Sequence, residues 1–285
     1  MPEVDGGIET IRAHVNDCRS HGAIGFVPTM GALHAGHASL IQRARRECGT
    51  VVVSIFVNPL QFDRAEDLDR YPRSLDADLA LCREHGVDLV FAPSVAEMYP
   101  QPMAMAIDVG TLADHLCGRY RPGHFEGVAS VVLKLFGIVQ PDRAYFGEKD
   151  AQQLAVVRRL VTDFNVPVTI VPVPTVREPD GLALSSRNVR LSADERLLAP
   201  SLYKALQRAA ARVDQGAVNA AEIERDAAAL IPADERLRVE YLQLVDPDLF
   251  QPVTTVAGPV VAAGALWVGQ TRLIDNVRCT PRNQS

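Results

Sequence analysis

The sequence lacks any uninterrupted apolar run close to the roughly 20 residues that a helix needs to cross a bilayer. The start of the sequence has Glu3 and Asp5 and no apolar h-region of the kind that a secretory signal peptide carries. The sequence therefore predicts neither a membrane span nor a signal peptide, and we expect no membrane partner.

Cysteine is scarce and widely scattered. The five cysteines are an odd number and include no Cys-x-x-Cys pair. They are Cys18, Cys48, Cys82, Cys117 and Cys279. This pattern is typical of buried free thiols in a reducing compartment, so we expect a cytoplasmic protein. None of the five is a good candidate for a catalytic nucleophile.

An excess of positive charge is also missing. The formal net charge is -6 and the isoelectric point is about 5.7, which gives no support for a nucleic-acid partner. An acidic chain can still hold a local basic pocket for ATP. With 285 residues, 47% of them hydrophobic, the chain is long enough for one large globular domain or two.

The first two-thirds of the chain alternate strand patterns with helix patterns. The predicted strands are 24–27, 51–57, 87–91, 144–146 and 166–173, and the predicted helices are 8–20, 38–48, 75–85, 128–139 and 151–164. This alternation predicts an α/β domain with a mostly parallel sheet covered by helices.

The composition changes after about residue 175. Ala/Arg/Glu-rich helical patterns cover 193–199, 201–215 and 220–230, and strand patterns follow at 238–245, 256–262 and 266–268. We therefore predict two domains, 1–175 and 176–285, the second a smaller α+β domain.

A His-x-Gly-His segment follows the first predicted strand. An apolar run from Phe26 leads into a Gly-containing loop, and His34 and His37 then open a helix. The N–H groups at a helix N-terminus favour phosphate, and two imidazoles three residues apart can donate to phosphate oxygens. One histidine could instead be a helix cap and the other a buried, hydrogen-bonded group. A zinc site is the weaker alternative, because the sequence has no His-Glu-x-x-His.

Two later turns carry charge and hydroxyl groups. Lys149 lies in Gly147-Glu148-Lys149-Asp150, directly after a predicted strand, where its ammonium can reach phosphate. The loop 180–188 contains Ser185-Ser186-Arg187, a set that can bind phosphate through charge-assisted hydrogen bonds. Each turn could also be a solvated surface feature.

Two further stretches are candidate ligand walls. Gln61 follows the predicted buried strand 51–57, at the carboxyl end where open α/β sheets bind ligands. Residues 118–128 concentrate Arg119, Arg121 and His124 in a loop rich in Gly and Pro, although a solvated surface loop is an alternative there.

In their order and spacing, these segments closely resemble the pantothenate synthetase (pantoate–β-alanine ligase) family. The segments are 28–37, 56–62, 121–128, 147–153, 180–188 and 273–276. The resemblance covers essentially the whole chain and implies a Rossmann-like domain of the HIGH-type nucleotidylyltransferases. It also implies a homodimer that converts ATP, pantoate and β-alanine to pantothenate through a pantoyl adenylate, with Mg²⁺ accompanying ATP.

The resemblance assigns roles to particular residues. Those implied in catalysis are His34, His37, Lys149, Ser185, Ser186 and Arg187. Those implied to line the ATP site are Met30, Gly31, Ala32, Leu33, His34, Ala35, Gly36, His37, Gly147, Glu148, Lys149, Asp150, Val176, Leu184, Ser185, Ser186 and Arg187. Gln61 and Gln153 are implied to hydrogen-bond pantoate. No residue is assigned as a Mg²⁺ ligand.

Three positions depart from common patterns of that family, namely Ala35, Ala151 and Val189-Arg190. None of them removes a group with an assigned chemical role. Another adenylyl-transferring enzyme of the same superfamily is the main alternative, although it would need extra basic residues for a phosphorylated acceptor. A non-catalytic ATP-sensing module would be expected to lose His37 or Lys149, and both are present.

Overall fold

The computed structural model describes residues 2–282, which form two compact units. The first unit comprises 2–109, 121–148 and 156–174, and the second comprises 110–120, 149–155 and 175–282. The predicted domains, 1–175 and 176–285, differ from these units by two short segments that the structure groups with the second. That predicted boundary stays a prediction.

The first unit is built on a parallel sheet. Its strands are β1 (Glu3–Asp5), β2 (Ile24–Thr29), β3 (Thr50–Ile55), β4 (Leu89–Phe91), β5 (Arg143–Gly147) and β6 (Thr169–Val173). They lie in the order β1-β4-β3-β2-β5-β6, and every recorded pairing is parallel. Val51, Val52 and Val53 are fully buried, as expected for a strand covered on both faces.

The chain order reverses direction between β2 and β5. The next two strands in the chain, β3 and β4, lie on one side of β2, and β5 and β6 lie on the other. Ligands of open α/β sheets bind beyond the carboxyl ends of the strands at such a switch point. The loop after β2 begins at Met30, and β5 ends at Gly147, so both lie at this edge of the sheet.

The helices up to residue 163 are α1 (Ile8–Cys18), α2 (Ala35–Glu47), α3 (Ala65–Asp69), α4 (Leu75–Glu84), α5 (Val95–Met98), α6 (Leu116–Tyr120), α7 (His124–Val139) and α8 (Ala151–Asp163). Leu40, Ile41 and Ala44 of α2 pack with Val27 and Val53 of the sheet in one buried cluster. The apolar face of α2 is thereby fixed against β2 and β3, which positions the helix N-terminus.

The second unit contains a small antiparallel sheet. Its strands are β7 (Leu237–Val245), β8 (Val260–Val268) and β9 (Thr271–Cys279), and its further helices are α9 (Ala193–Leu198), α10 (Ser201–Asp214) and α11 (Ala220–Ala228). Leu206 and Ile223 of the helices share a buried core with Leu244 and Leu266 of the sheet. The buried Gln152 side chain hydrogen-bonds the backbone of Leu112, His115 and Cys117, which ties residues 110–120 to this unit.

The structure confirms the predicted fold class, an α/β domain with a parallel sheet and a smaller C-terminal α+β part. Several local predictions are wrong. Helix α2 begins at Ala35 instead of residue 38, and the predicted loop 118–128 contains the first turn of α7. In place of the strands predicted at 256–262 and 266–268 the structure has the single strand β8, which begins only at Val260, and the sequence analysis predicts neither β1 nor β9.

All five cysteines are free thiols; four are buried and Cys18 is half-buried. Among the helices of residues 2–282, none has both the length and the apolar character required to cross a membrane.

Candidate active site

The loop after β2 is held in a conformation that needs glycine. The Thr29 hydroxyl donates to the Ser54 carbonyl oxygen at 2.7 Å and accepts from the Gly31 N–H at 3.1 Å. Gly31 has φ +81°, in the left-handed region. A Cβ at this position would also lie 2.8 Å from Asp78 Oδ2, so both backbone conformation and space require glycine here.

Asp78 of α4 fixes the next two residues of this loop. Its carboxylate accepts from the Ala32 N–H at 3.0 Å and from the Leu33 N–H at 2.7 Å. Burial raises the pKa of Asp78, and these two hydrogen bonds act in the opposite direction. Ala32 has φ +52°, so the carboxylate stabilises a second left-handed residue. Sequence reasoning missed this role, because nothing local connects Asp78 to the loop.

His34 and His37 cap α2 reciprocally. His34 is the N-cap residue, and its Nδ1 accepts from the Gly36 N–H at 3.1 Å. His37 Nδ1 accepts from the His34 backbone N–H at 3.3 Å, and the two ring centroids lie 4.2 Å apart. A neutral imidazole that accepts at Nδ1 carries its proton on Nε2. Each ring therefore has an Nε2–H donor at the helix N-terminus, where the helix dipole favours an anion.

Gln61 lies at the end of a chain of oriented donors in the first unit. The Tyr99 hydroxyl donates to Asn58 Oδ1 at 2.9 Å, and Asn58 Nδ2 donates to Gln61 Oε1 at 3.2 Å. Burial raises the pKa of Tyr99 to about 12, so the hydroxyl keeps its proton. Gln61 Nε2 then donates to the Met30 sulfur at 2.8 Å. A thioether is a weak acceptor, so the Gln61 Nε2–H group can donate instead to a stronger acceptor such as a carboxylate or hydroxyl oxygen.

The backbone of Gln61 is held from the start of α7. Its carbonyl oxygen accepts from His124 Nδ1 at 2.7 Å and from Arg121 Nη2 at 3.2 Å. Arg121 also donates to Asp63 at 2.9 Å; burial works to raise the pKa of Asp63, but the arginine outweighs it and lowers that pKa. Arg121 and His124 thus support Gln61, whereas Arg119 is exposed, as expected for a surface residue.

Lys149 lies in the second unit, in the turn that precedes α8. Its Nζ is 3.8 Å from Asp150 Oδ1, and its side chain is 19% exposed. The Lys149 carbonyl oxygen accepts from Asn276 Nδ2 at 2.9 Å. Gln153 is half-buried in the first turn of α8.

The predicted phosphate loop follows a short hairpin in the same unit. Leu184 N–H donates to the Val176 carbonyl oxygen at 3.0 Å, which places these two residues side by side. Ser185 Oγ then accepts from the Arg187 N–H at 3.3 Å, and the Asn188 N–H donates to the Ser185 carbonyl oxygen at 3.0 Å. The hydroxyl and the turn therefore set the backbone of Ser185–Arg187.

The predicted site residues are divided between the two units. The first holds Met30, Gly31, Ala32, Leu33, His34, Ala35, Gly36, His37, Gln61, Gly147 and Glu148; the second holds Lys149, Asp150, Gln153, Val176, Leu184, Ser185, Ser186 and Arg187. Within residues 2–282, no group of three or more His, Cys, Asp or Glu side chains is arranged to hold a metal ion.

The family model for pantoate–β-alanine ligase matches residues 4–278. The chain belongs to the pantoate–β-alanine ligase family. This membership confirms the resemblance seen in the sequence, and it covers both units of the ligase-family chain.

Relatives of two lengths show the same membership. A bifunctional pantoate ligase/cytidylate kinase of Synechococcus elongatus is 55% identical over 90% of this chain, which spans 49% of that protein. The chain thus spans about half the length of the first relatives it matches. A pantothenate synthetase of Caldicellulosiruptor saccharolyticus is 49% identical, with coverage of 96% of this chain and 98% of its own.

Solved structures share the ligase-family fold. The pantothenate synthetase of Thermus thermophilus has a TM-score of 0.92 and 48% identity, covering 98% of this chain and 100% of its own. A pantoate–β-alanine ligase from Francisella tularensis, complexed with β-γ ATP and β-alanine, has a TM-score of 0.81 and 35% identity, covering 97% of each chain.

Proposed function

We propose that the chain condenses pantoate with β-alanine at the expense of ATP. A pantoate carboxylate oxygen attacks the α-phosphorus of ATP, an O–P bond forms, and diphosphate leaves. The β-alanine nitrogen then attacks the acyl carbon of pantoyl adenylate, loses a proton and displaces AMP, giving pantothenate. Family membership over residues 4–278 supports this reaction, as does the Francisella tularensis relative in complex with β-γ ATP and β-alanine.

The reciprocal histidine cap carries the proposal. Charge builds up on the departing diphosphate, and two preformed Nε2–H donors at a helix N-terminus stabilise such charge without rearrangement. We assign His37 the role of proton donor and His34 that of its companion phosphate contact. Positioning and charge stabilisation suffice for this chemistry, so no enzyme nucleophile is needed.

We assign nucleotide binding to backbone segments of each unit. They are Met30–His37, Gly147–Asp150, Val176 and Leu184–Arg187. Mg²⁺ enters with ATP as part of the substrate. Lys149 supplies a positive charge to the phosphates, and Ser185, Ser186 and Arg187 form a lid that shields the labile adenylate from water.

Pantoate would be recognised by an amide pair and an apolar wall. Gln61 supplies an Nε2–H group whose direction is set by Tyr99 and Asn58. Gln153 is its proposed partner. The geminal methyl groups of pantoate suit the apolar side chains of Met30, Phe62, Val128 and Val131. Two amides fit a small, singly charged acid.

The test combines purified protein with ATP, Mg²⁺, pantoate and β-alanine, and measures AMP and pantothenate. We expect both products in equal amounts, and only when all substrates are present. A folded protein that releases no AMP in response to β-alanine would contradict the proposal. ATP–diphosphate exchange driven by another acid, but not by pantoate, would instead indicate a different adenylyl-transferring enzyme. Homodimer formation and cytoplasmic location stay predictions, and sedimentation velocity tests the first.

A further inference from the structure

Strand β9 carries a motif that the proposed reaction leaves without a role. The buried carboxylate of Asp275 accepts two hydrogen bonds from Arg177, at 2.6 and 2.9 Å. The same guanidinium donates to the Gly181 carbonyl oxygen at 3.1 Å and lies 3.8 Å from the centre of the Tyr203 ring. Such a bidentate, stacked arginine has one defined orientation, which a lysine could not reproduce.

Arg177 belongs to the hairpin that leads into the predicted phosphate loop. Arg177 and Ala183 form a backbone bridge, and the Glu178 N–H donates to the Leu182 carbonyl oxygen at 2.8 Å. Holding Arg177 and Gly181 therefore fixes the base of the loop that continues into Ser185.

The neighbouring residue of β9 holds a different part of the site. Asn276 Nδ2 donates to the Lys149 carbonyl oxygen at 2.9 Å, while the Asn276 carbonyl oxygen accepts from Arg177 Nη2 at 3.4 Å. Two adjacent residues of one strand thus bind the hairpin and the backbone of Lys149. All of these contacts lie within the second unit.

We propose that Asp275 and Asn276 are positioning residues, which set Lys149 and the Ser185–Arg187 loop in a fixed relation to each other. Neither residue is required to touch substrate. Asn276 acts on the backbone from which the Lys149 ammonium extends, and Asp275 acts through Arg177 on the base of the loop. This inference rests on the proposed function for the role of Lys149 in adenylate formation.

Asn276→Ala removes the donor to Lys149 at a half-buried position, so we expect a folded enzyme with an almost unchanged thermal midpoint. Misplacing a charge by about 1 Å costs up to ~100-fold in rate, so we expect single-turnover adenylate formation to slow by about 10- to 100-fold. Arg278→Ala, at an exposed position of the same strand, is the matched control and should keep the wild-type rate.

A double-mutant cycle separates positioning from a general structural effect. In a Lys149→Ala background there is no ammonium left to position, so Asn276→Ala should then change the rate by less than about 2-fold. An equal loss from Asn276→Ala in both backgrounds would overturn the proposal. A second double-mutant cycle tests the loop and combines Arg177→Lys with Ser186→Ala. Additive losses of the adenylation rate in this cycle would overturn the role of Asp275.

The wild-type enzyme is assayed first, so that failure of the proposed function can be told apart from failure of this inference. If it forms no pantothenate, the proposed function fails before any variant is compared. If it is active and Lys149→Ala is as fast as wild type, Lys149 has no role for Asn276 to support, and the inference fails alone.

Discussion

The carboxylate of Asp78 and the backbone N–H of Leu33 are 2.7 Å apart, although 45 residues separate them in the chain. The same carboxylate binds Ala32, and Gly31 leaves space for it. Helix α4, which follows β3 in the chain, therefore shapes the loop that leads into the histidine cap. An acidic side chain that looks like a surface residue of α4 is in fact buried, and it supports the loop that leads into the histidine cap.

Asp78→Ala should destabilise the protein and weaken ATP use together. Two backbone N–H groups lose a charged acceptor, and we expect the free energy of unfolding to fall by about 2 kcal/mol, as measured by urea denaturation. The KM for ATP should rise, because the loop no longer has a fixed shape. Asp76→Ala, on the exposed side of the same helix, is the control. Equal effects of the two substitutions would contradict the role of Asp78.

His37→Asn should separate the two functions of the imidazole. The asparagine oxygen can replace Nδ1 as acceptor for the His34 N–H, so thermal stability should stay close to wild type. The Nε2–H donor is lost, and adenylate formation in a single turnover should slow by about 100- to 1,000-fold. His37→Ala should lose stability as well. If His37→Asn turned over at the wild-type rate, the donor role would be excluded.

Gln61→Ala should raise the KM for pantoate by about 10-fold, which corresponds to one lost hydrogen bond, while the Kd for ATP stays unchanged. Initial rates and ATP titration by calorimetry measure the two quantities. Gln42→Ala, at an exposed glutamine of α2, should change neither. If Gln61→Ala changed only the Kd for ATP, Gln61 would not be a pantoate-binding residue.

The contribution of His14, which binds Asp5 of the edge strand β1, to the free energy of unfolding should depend on pH. His14 Nδ1 donates to Asp5 at 2.7 Å, and this hydrogen bond, with the nearby charge of Glu3, raises the pKa of His14 above 6.5. A raised folded-state pKa stabilises the fold fully below the unfolded value and loses that contribution as pH rises through the folded value. The stability advantage of wild type over His14→Asn should therefore be larger at about pH 5.5 than at about pH 8.5. Denaturant unfolding at both pH values measures this difference, and a gap that widened with pH would contradict it.

Much of the fold was predictable because hydrophobic periodicity is local. The parallel core strands and most helices followed from it, whereas β9 did not, because Arg272, Asp275 and Arg278 interrupt its apolar pattern. Its extended form comes from pairing with β8 over its full length. Strand β8 was predicted in two pieces because of Gly264, where the absent side chain makes room for Leu202, 2.7 Å from the position a Cβ would take.

The chemical groups assigned to the candidate site stay a prediction, whereas the contacts that support them are observed and do not follow from the sequence. The order and spacing of His34, Lys149 and Ser185 indicated the family. The supports were missed because each one is a tertiary contact between distant residues, as between Tyr99 and Asn58 or between Asn276 and Lys149. The sequence analysis allowed one histidine to be a helix cap, but the apolar spacing placed the helix only from residue 38, because the capping role of imidazole depends on ring orientation.

Polar groups placed for chemistry commonly weaken the fold that holds them, so activity and stability are traded against each other. The two histidines that cap α2 do not weaken the fold in this way. Each ring uses Nδ1 to satisfy a backbone N–H at the start of the helix, and in the proposed reaction Nε2 donates to a substrate anion. A substitution that removes both nitrogens of one ring should therefore lower stability and activity together, whereas one that keeps only the capping acceptor, such as His37→Asn, should separate the two.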